Sequence, residues 1–326
     1  MSKLVTIYGG SGFVGRYIAR RMAKQGWRVR VAVRNPNEAM FVKPYGVVGQ
    51  VEPVFCNIRD DASVRHVMSG ADAVVNCVGT FDARGKNNFE AVQNEGATRI
   101  ARLASEEGVG RLVHISAIGA DAESASEYAR SKAAGEAGIL SNFASAVILR
   151  PSIVFGPEDG FFNRFAEMAR LGPVLPVVGA ETRFQPVFVD DVAAAAEAGI
   201  LGRAAPGIYE LGGPETATFR ELMTQMLEII RRRRLILNMP FWFARIMAGL
   251  FRVGNILSLG IVKAPITADQ VESLKVDNVV ADGALGLPDL GITPTSMEAV
   301  LPEYLWRFRP SGQYAEIKDS ARNLKT

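Results

Sequence analysis

The chain has 326 residues, of which 48% are hydrophobic and 22% charged, with a formal net charge of +3. This is the composition of a globular protein that can bury a core of one α/β domain plus a smaller lobe, and the charge is too mild for a nucleic-acid partner. Two cysteines, Cys56 and Cys77, and two histidines, His66 and His114, argue against a disulfide framework or a zinc site, so no metal is expected.

Leu4 to Tyr8 is a short apolar run, and glycines follow at 9, 10, 12 and 15. Val14, Ile18 and Met22 then recur at helical spacing, up to Gly26. A buried strand that turns through glycines into a helix start makes an anion site, because the first helical N–H groups are unpaired at the positive end of the dipole. Gly9 should permit the tight turn, Gly12 should let backbone approach a phosphate, and Gly15 should let the helix lie close to the sheet.

A second strand is read at Val29 to Val33, followed by Arg34. A site for NAD carries Asp or Glu near this point to bind the ribose 2′-hydroxyl. A guanidinium binds a 2′-phosphate instead, so NADP(H) is expected over NAD(H). Val51 to Cys56 reads as strand three. After it, Asn57 can bond the adenine edge while Ile58 packs on the ring. A helix over 61–68 follows, with Asp60 or Asp61 as its cap. Strand four is Ala73 to Val78, and Gly79 lies at its carboxyl end, where ligands gather in open α/β sheets. A long helix over 88–107 stops at Gly108, and strand five is Arg111 to Ser116. The next helix, 126–141, precedes strand six, Ala146 to Leu149, which Arg150-Pro151 should end. Both cysteines fall inside these strands, as small buried residues.

This alternation predicts an α/β fold, a doubly wound parallel sheet of Rossmann type, over 1–154 with parts of 180–215. A smaller mixed α/β lobe is expected over 155–306, and a polar tail over 307–326. The lobe should hold a helix over 160–171, short strands at 187–191 and 209–211, and a helix opened by a Thr218/Glu221 capping box. Arginines 231–234 and the apolar stretch to residue 262 together suit a membrane interface or a partner helix; the alternatives are a solvated face for the arginines and the core of the lobe itself for the apolar residues. The first strand begins at residue 4, so if the chain is complete no signal or transit peptide is expected, and no apolar run approaches the roughly 20 residues of a spanning helix.

Tyr128 and Lys132 are one helical turn apart. A tyrosine can protonate a carbonyl while hydride arrives, and a lysine ammonium beside it favours the phenolate and can hold the cofactor ribose. A third group usually holds the substrate carbonyl. Ser116 is the candidate, but Ala117 follows it, and neighbours on a strand face opposite sides.

These residues, with Gly9 to Gly15, Asn57 to Asp60, Asn76 to Gly79, Ala133 to Glu136 and Arg150 to Ser152, resemble the extended and atypical short-chain dehydrogenase/reductase superfamily. Within it the chain is most similar to the nucleotide-binding accessory subunits of respiratory complex I, alpha-subcomplex subunit nine type. That likeness rests on residues 128–136, 155–165 and 184–192. Asn57 stands where many of these relatives have Asp. The resemblance implies a tightly held NADPH with no turnover of its own. It implies cofactor contacts at Gly9, Ser11, Gly12, Phe13, Val14, Arg34, Asn57, Ile58, Val78, Gly79, Thr80, Ile115, Tyr128, Lys132, Pro151 and Ile153, and family catalytic positions at Tyr128, Lys132 and Ser116. It also implies partners in the peripheral arm of complex I and at the membrane surface through 231–262. With no targeting peptide, that would mean the cytoplasmic face of a bacterial inner membrane. The alternative is an NADPH-dependent reductase, dehydrogenase or epimerase.

Overall fold

The structure, a computed structural model, describes residues 2–80, 85–257, 267–310 and 312–314. In chain order the strands and helices are β1 (Leu4–Tyr8), α1 (Phe13–Lys24), β2 (Arg28–Val33), β3 (Val51–Phe55), α2 (Asp61–Met68), β4 (Ala73–Asn76), α3 (Glu95–Glu106), β5 (Arg111–Ile115), α4 (Glu127–Asn142), β6 (Val147–Pro151) and β7 (Val154–Phe155). Then come α5 (Phe162–Leu171), β8 (Val174–Val178), β9 (Arg183–Phe184), β10 (Val187–Phe188), α6 (Val189–Ile200), β11 (Gly207–Leu211), β12 (Ala217–Thr218), α7 (Phe219–Ile229), β13 (Leu235–Met239), α8 (Phe241–Leu257), α9 (Ala268–Ser273) and α10 (Met297–Leu305).

The chain divides into two compact units. The first comprises 1–152, 189–212 and 280–294, and the second 153–188, 213–279 and 295–326. The segment 280–294, expected in the smaller lobe, therefore belongs to the first unit. Its backbone explains why: the Glu210 N–H donates to Leu285 O at 2.8 Å, tying it to β11.

The first unit is a seven-stranded parallel sheet in the order β11-β6-β5-β4-β1-β2-β3. This is the Rossmann-type architecture, with its reversal of strand order between β1 and β4. Every residue of β1 and of β4 is buried, as central strands covered on both faces require.

Several boundaries differ from the sequence expectation. Cys56 and Cys77 lie one residue beyond β3 and β4, because side chains take over the ladder there. The Asn57 N–H donates to Ser63 Oγ at 2.9 Å and the Val78 N–H to Asn76 Oδ1 at 3.0 Å. β6 does not stop at Leu149 but runs through Pro151, opposite Leu211. Proline lacks a donor but keeps its carbonyl, which accepts the Ile118 N–H at 3.0 Å. The helix expected over 88–107 opens with a π-helical turn, Glu90–Asn94, and becomes α-helical only at Glu95.

The second unit packs α5, α7 and α10 around a core that includes Phe155, Phe162, Phe184 and Phe219. The Thr218/Glu221 capping box is formed, with the Thr218 N–H on Glu221 Oε2 at 2.8 Å and the Glu221 N–H on Thr218 Oγ1 at 3.2 Å. A parallel pair unforeseen from the sequence joins β8 to β13. It draws the arginine run inward. Arg232 Nε donates to Phe308 O at 2.9 Å and Arg234 Nε to Ala169 O at 2.7 Å, so the run is not simply a solvated face. In α8, Ala244 and Ala248 are buried, while Trp242, Phe243, Ile246 and Leu250 are exposed. Among the described residues no helix is long and apolar enough to cross a membrane. Residues 258–262 of the proposed interfacial stretch, and 311 and 315–326 of the tail, lie outside the described residues.

Candidate dinucleotide site

The glycine turn follows β1 directly. Gly9 has φ +73°, a left-handed conformation, and its N–H donates to Ala32 O at 2.9 Å. A Cβ on Gly9 would lie 3.1 Å from Cys77 O, so the turn is wedged between the ends of β2 and β4. A Cβ on Gly15 would lie 2.5 Å from Gly9 O and 2.7 Å from Gly10 Cα. Gly15 therefore lets α1 start against the turn itself. The close approach to the sheet, expected of Gly15, belongs to Gly10, whose Cβ would meet Val31 Cγ1 at 3.0 Å.

α1 is capped by Gly12 with no side-chain capping bond, and no acid stands in its first turn. Ser11, Gly12, Phe13 and Val14 thus form a bare-backbone cradle at the positive end of a helix, which fits a pyrophosphate. Arg34 is exposed and immediately follows β2, two residues past the carbonyl that holds Gly9.

Asn57 and Ile58, expected at the adenine, have bonds and contacts of their own within the protein. Asn57 Oδ1 accepts the Arg59 N–H at 3.2 Å. Ile58 Cδ1 rests on Gly96 of α3, where a Cβ would come within 2.9 Å. At the end of β4, Gly79 lies beside Lys132, whose Nζ would be 3.6 Å from a Cβ there. Thr80 O accepts Gln93 Nε2 at 2.6 Å, and Gln93 Oε1 accepts Ser131 Oγ at 3.0 Å. Gln93, buried on the π-turn, is a bracing residue that sequence reasoning missed. Its signal was Gly135, since a Cβ there would sit 2.3 Å from Gln93 O.

Lys132 is buried, donates to Ile115 O at 3.2 Å, and lies 6.0 Å from the centre of the Tyr128 ring. Tyr128 is half-buried and meets Phe89 edge to face. The structure thus brings Tyr128, Lys132, Gly79 and Ile115 together. It turns Ser116 elsewhere: its hydroxyl donates to the carboxylate of Glu136, which Arg150 grips through Nε at 3.0 Å and Nη2 at 2.6 Å. Arg150 also reaches Glu210 at 3.4 Å. Pro151 ends β6, and Ile153 falls in the second unit.

Burial lowers the Lys132 pKa from its ordinary 10.5 to about 8, against the opposing pull of Glu136 and Cys77. The unfolded chain therefore binds more protons than the folded one between about pH 8 and 10.5, and stability contributed at this site rises with pH across that window. Lys132→Met should accordingly be more stable relative to wild type at pH 7 than at pH 10.5, as measured by urea unfolding at both. An advantage independent of pH would refute the assignment.

Residues 5–212 match the NAD dependent epimerase/dehydratase family. The chain belongs to this family. A protein from Arabidopsis thaliana called NADH dehydrogenase (ubiquinone) 1 alpha subcomplex subunit 9, mitochondrial, is 33% identical over 316 residues, 95% of this chain and 79% of that protein. The ceramide reductase of Caulobacter vibrioides is 34% identical over 191 residues, 59% of either chain. Among solved structures of the epimerase/dehydratase fold, Bordetella bronchiseptica WbmG, in complex with NAD and UDP, superposes with a TM-score of 0.69 at 16% identity, covering 97% of this chain and 96% of that one.

Proposed function

We propose that this epimerase/dehydratase-family chain is an accessory subunit of respiratory complex I that holds NADPH as a permanent folding ligand. The observation that carries the reading is the likeness to the Arabidopsis subunit, which spans 95% of the chain and so runs beyond the dinucleotide-binding unit. The site supports it chemically. Gly9, Ser11, Gly12, Phe13 and Val14 receive the pyrophosphate, and Arg34 meets the 2′-phosphate. Asn57 and Ile58 flank the adenine end. Val78, Gly79, Thr80, Ile115 and Pro151 line the nicotinamide end, where Lys132 holds the ribose. When bound, the nicotinamide can supply a hydride. The serine that would hold a substrate carbonyl is instead bonded to Glu136, which favours retention of the cofactor over turnover.

The exposed Trp242, Phe243, Ile246 and Leu250 of α8, with the exposed Arg231 and Arg233 before them, support seating on the membrane surface and neighbouring subunits. Each arginine near an anionic leaflet adds about 1 kcal/mol. In a bacterium the proposed seat is the cytoplasmic face of the inner membrane. Native mass analysis of material extracted from membranes should find the chain with other complex I subunits and one NADPH. Tyr128→Phe should leave both unchanged. A chain recovered alone and free of nucleotide would overturn the proposal.

The Tyr128–Lys132 pair favours a second reading, an NADPH-dependent reductase, and the partial likeness to a ceramide reductase adds to it. Under that reading the purified chain oxidises NADPH with a carbonyl substrate, and Tyr128→Phe removes the activity.

A further inference from the structure

Arg16 lies on the first turn of α1, one residue past the last glycine of the motif. Its Nε is 3.3 Å from Gly12 O and its Nη2 3.1 Å from Ser11 O. Its guanidinium carbon lies 4.8 Å from the centre of the Phe41 ring. Phe41 belongs to the helical segment Pro36–Tyr45, which begins two residues after Arg34. One planar cation therefore bridges the glycine loop and the chain just past β2.

In a dinucleotide site of this topology those two pieces of backbone flank the adenosine ribose. The loop takes the pyrophosphate, and the residue past β2 meets the 2′-position. α1 has no acid in its first turn and Arg34 stands exposed just past β2, which suits an anion at this corner. The one acid of the following segment, Glu38, is occupied with Asn35, whose Nδ2 donates to it at 3.1 Å, and keeps its charge. Two carbonyl bonds and an aromatic plate hold the fork in place, so little side-chain freedom is left to lose when a phosphate arrives.

We infer that Arg16 is a second cation for the cofactor's 2′-phosphate and a specificity-determining partner of Arg34. The inference rests on the NADPH reading above. It adds that the preference for the phosphorylated dinucleotide is shared between two arginines, one on each side of the ribose.

Calorimetric titration of the full chain with NADPH and with NADH tests this. Wild type should bind NADPH more tightly. In Arg16→Met, NADPH affinity should fall by about tenfold or more, the scale of one hydrogen bond to a charged group, while NADH affinity changes by less than about threefold. Arg16→Lys keeps the charge without the fork, and should retain part of the preference. An equal loss for both nucleotides in both variants would make Arg16 only a brace of the loop and overturn the inference, as would no loss in either. A wild type that binds both nucleotides alike removes the NADPH reading itself. That result is seen before any variant is made, so the two failures are distinct.

Discussion

Gly15→Val should abolish NADPH retention and destabilise the unliganded chain. The added side chain must start where a Cβ would be 2.5 Å from Gly9 O and 2.7 Å from Gly10 Cα, and both are backbone atoms with no rotamer to yield. Overpacking of this kind costs about 1–3 kcal/mol, and here α1 can relieve it only by moving off the turn. Such a movement opens the cradle. Wild type at hundredfold excess of NADPH over its dissociation constant gains about 2.7 kcal/mol, and the variant should gain almost none. Thermal unfolding with and without NADPH measures both effects. Gly160→Ala is the control, because nothing lies within 4 Å of its Cβ. If Gly15→Val shows the full ligand-induced rise in melting temperature, the cradle is not where the dinucleotide binds.

Glu136→Ala should be the most destabilising substitution in the charge network of the first unit. Glu136 is buried and takes both the Ser116 hydroxyl and two nitrogens of Arg150. Removing it leaves Arg150 with only the longer contact to Glu210, and breaking a buried pair by deleting one partner costs about 3–5 kcal/mol. Urea unfolding gives the cost. A second readout separates charge from packing. Glu136 favours the Lys132 ammonium, so in Glu136→Gln the lysine should titrate below the wild-type value of about 8. A loss under about 1 kcal/mol, or an unmoved lysine, would mean that the network is not coupled to the site.

The fold was largely legible in the chain, and the reasons are local. A five-residue apolar strand passing into glycines and then a helical stripe has few other solutions, and β1, the glycine turn and α1 lie where that pattern puts them. The helix over 61–68 and the Thr218/Glu221 box were equally visible, because caps act between residues three apart or fewer. Strand ends were less visible. Whether β4 stops at Asn76 or Val78 depends on a side-chain carbonyl folding back on its own backbone, which no periodicity records.

By itself, then, the amino-acid order determined the parallel sheet, the glycine cradle, a basic residue past the second strand, and the placing of Tyr128 and Lys132 on one helix face. These are short-range properties, set by backbone sterics and by the repeat of strand and helix. Only the tertiary structure decided that Ser116 bonds to Glu136, that Gly10 rather than Gly15 touches the sheet, that Arg16 reaches Phe41, and that 280–294 joins the first unit. Each of these joins residues far apart in the chain or turns on the direction of one side chain. Such contacts arise from packing and the pairing of buried charge, which depend on what the fold has already brought close.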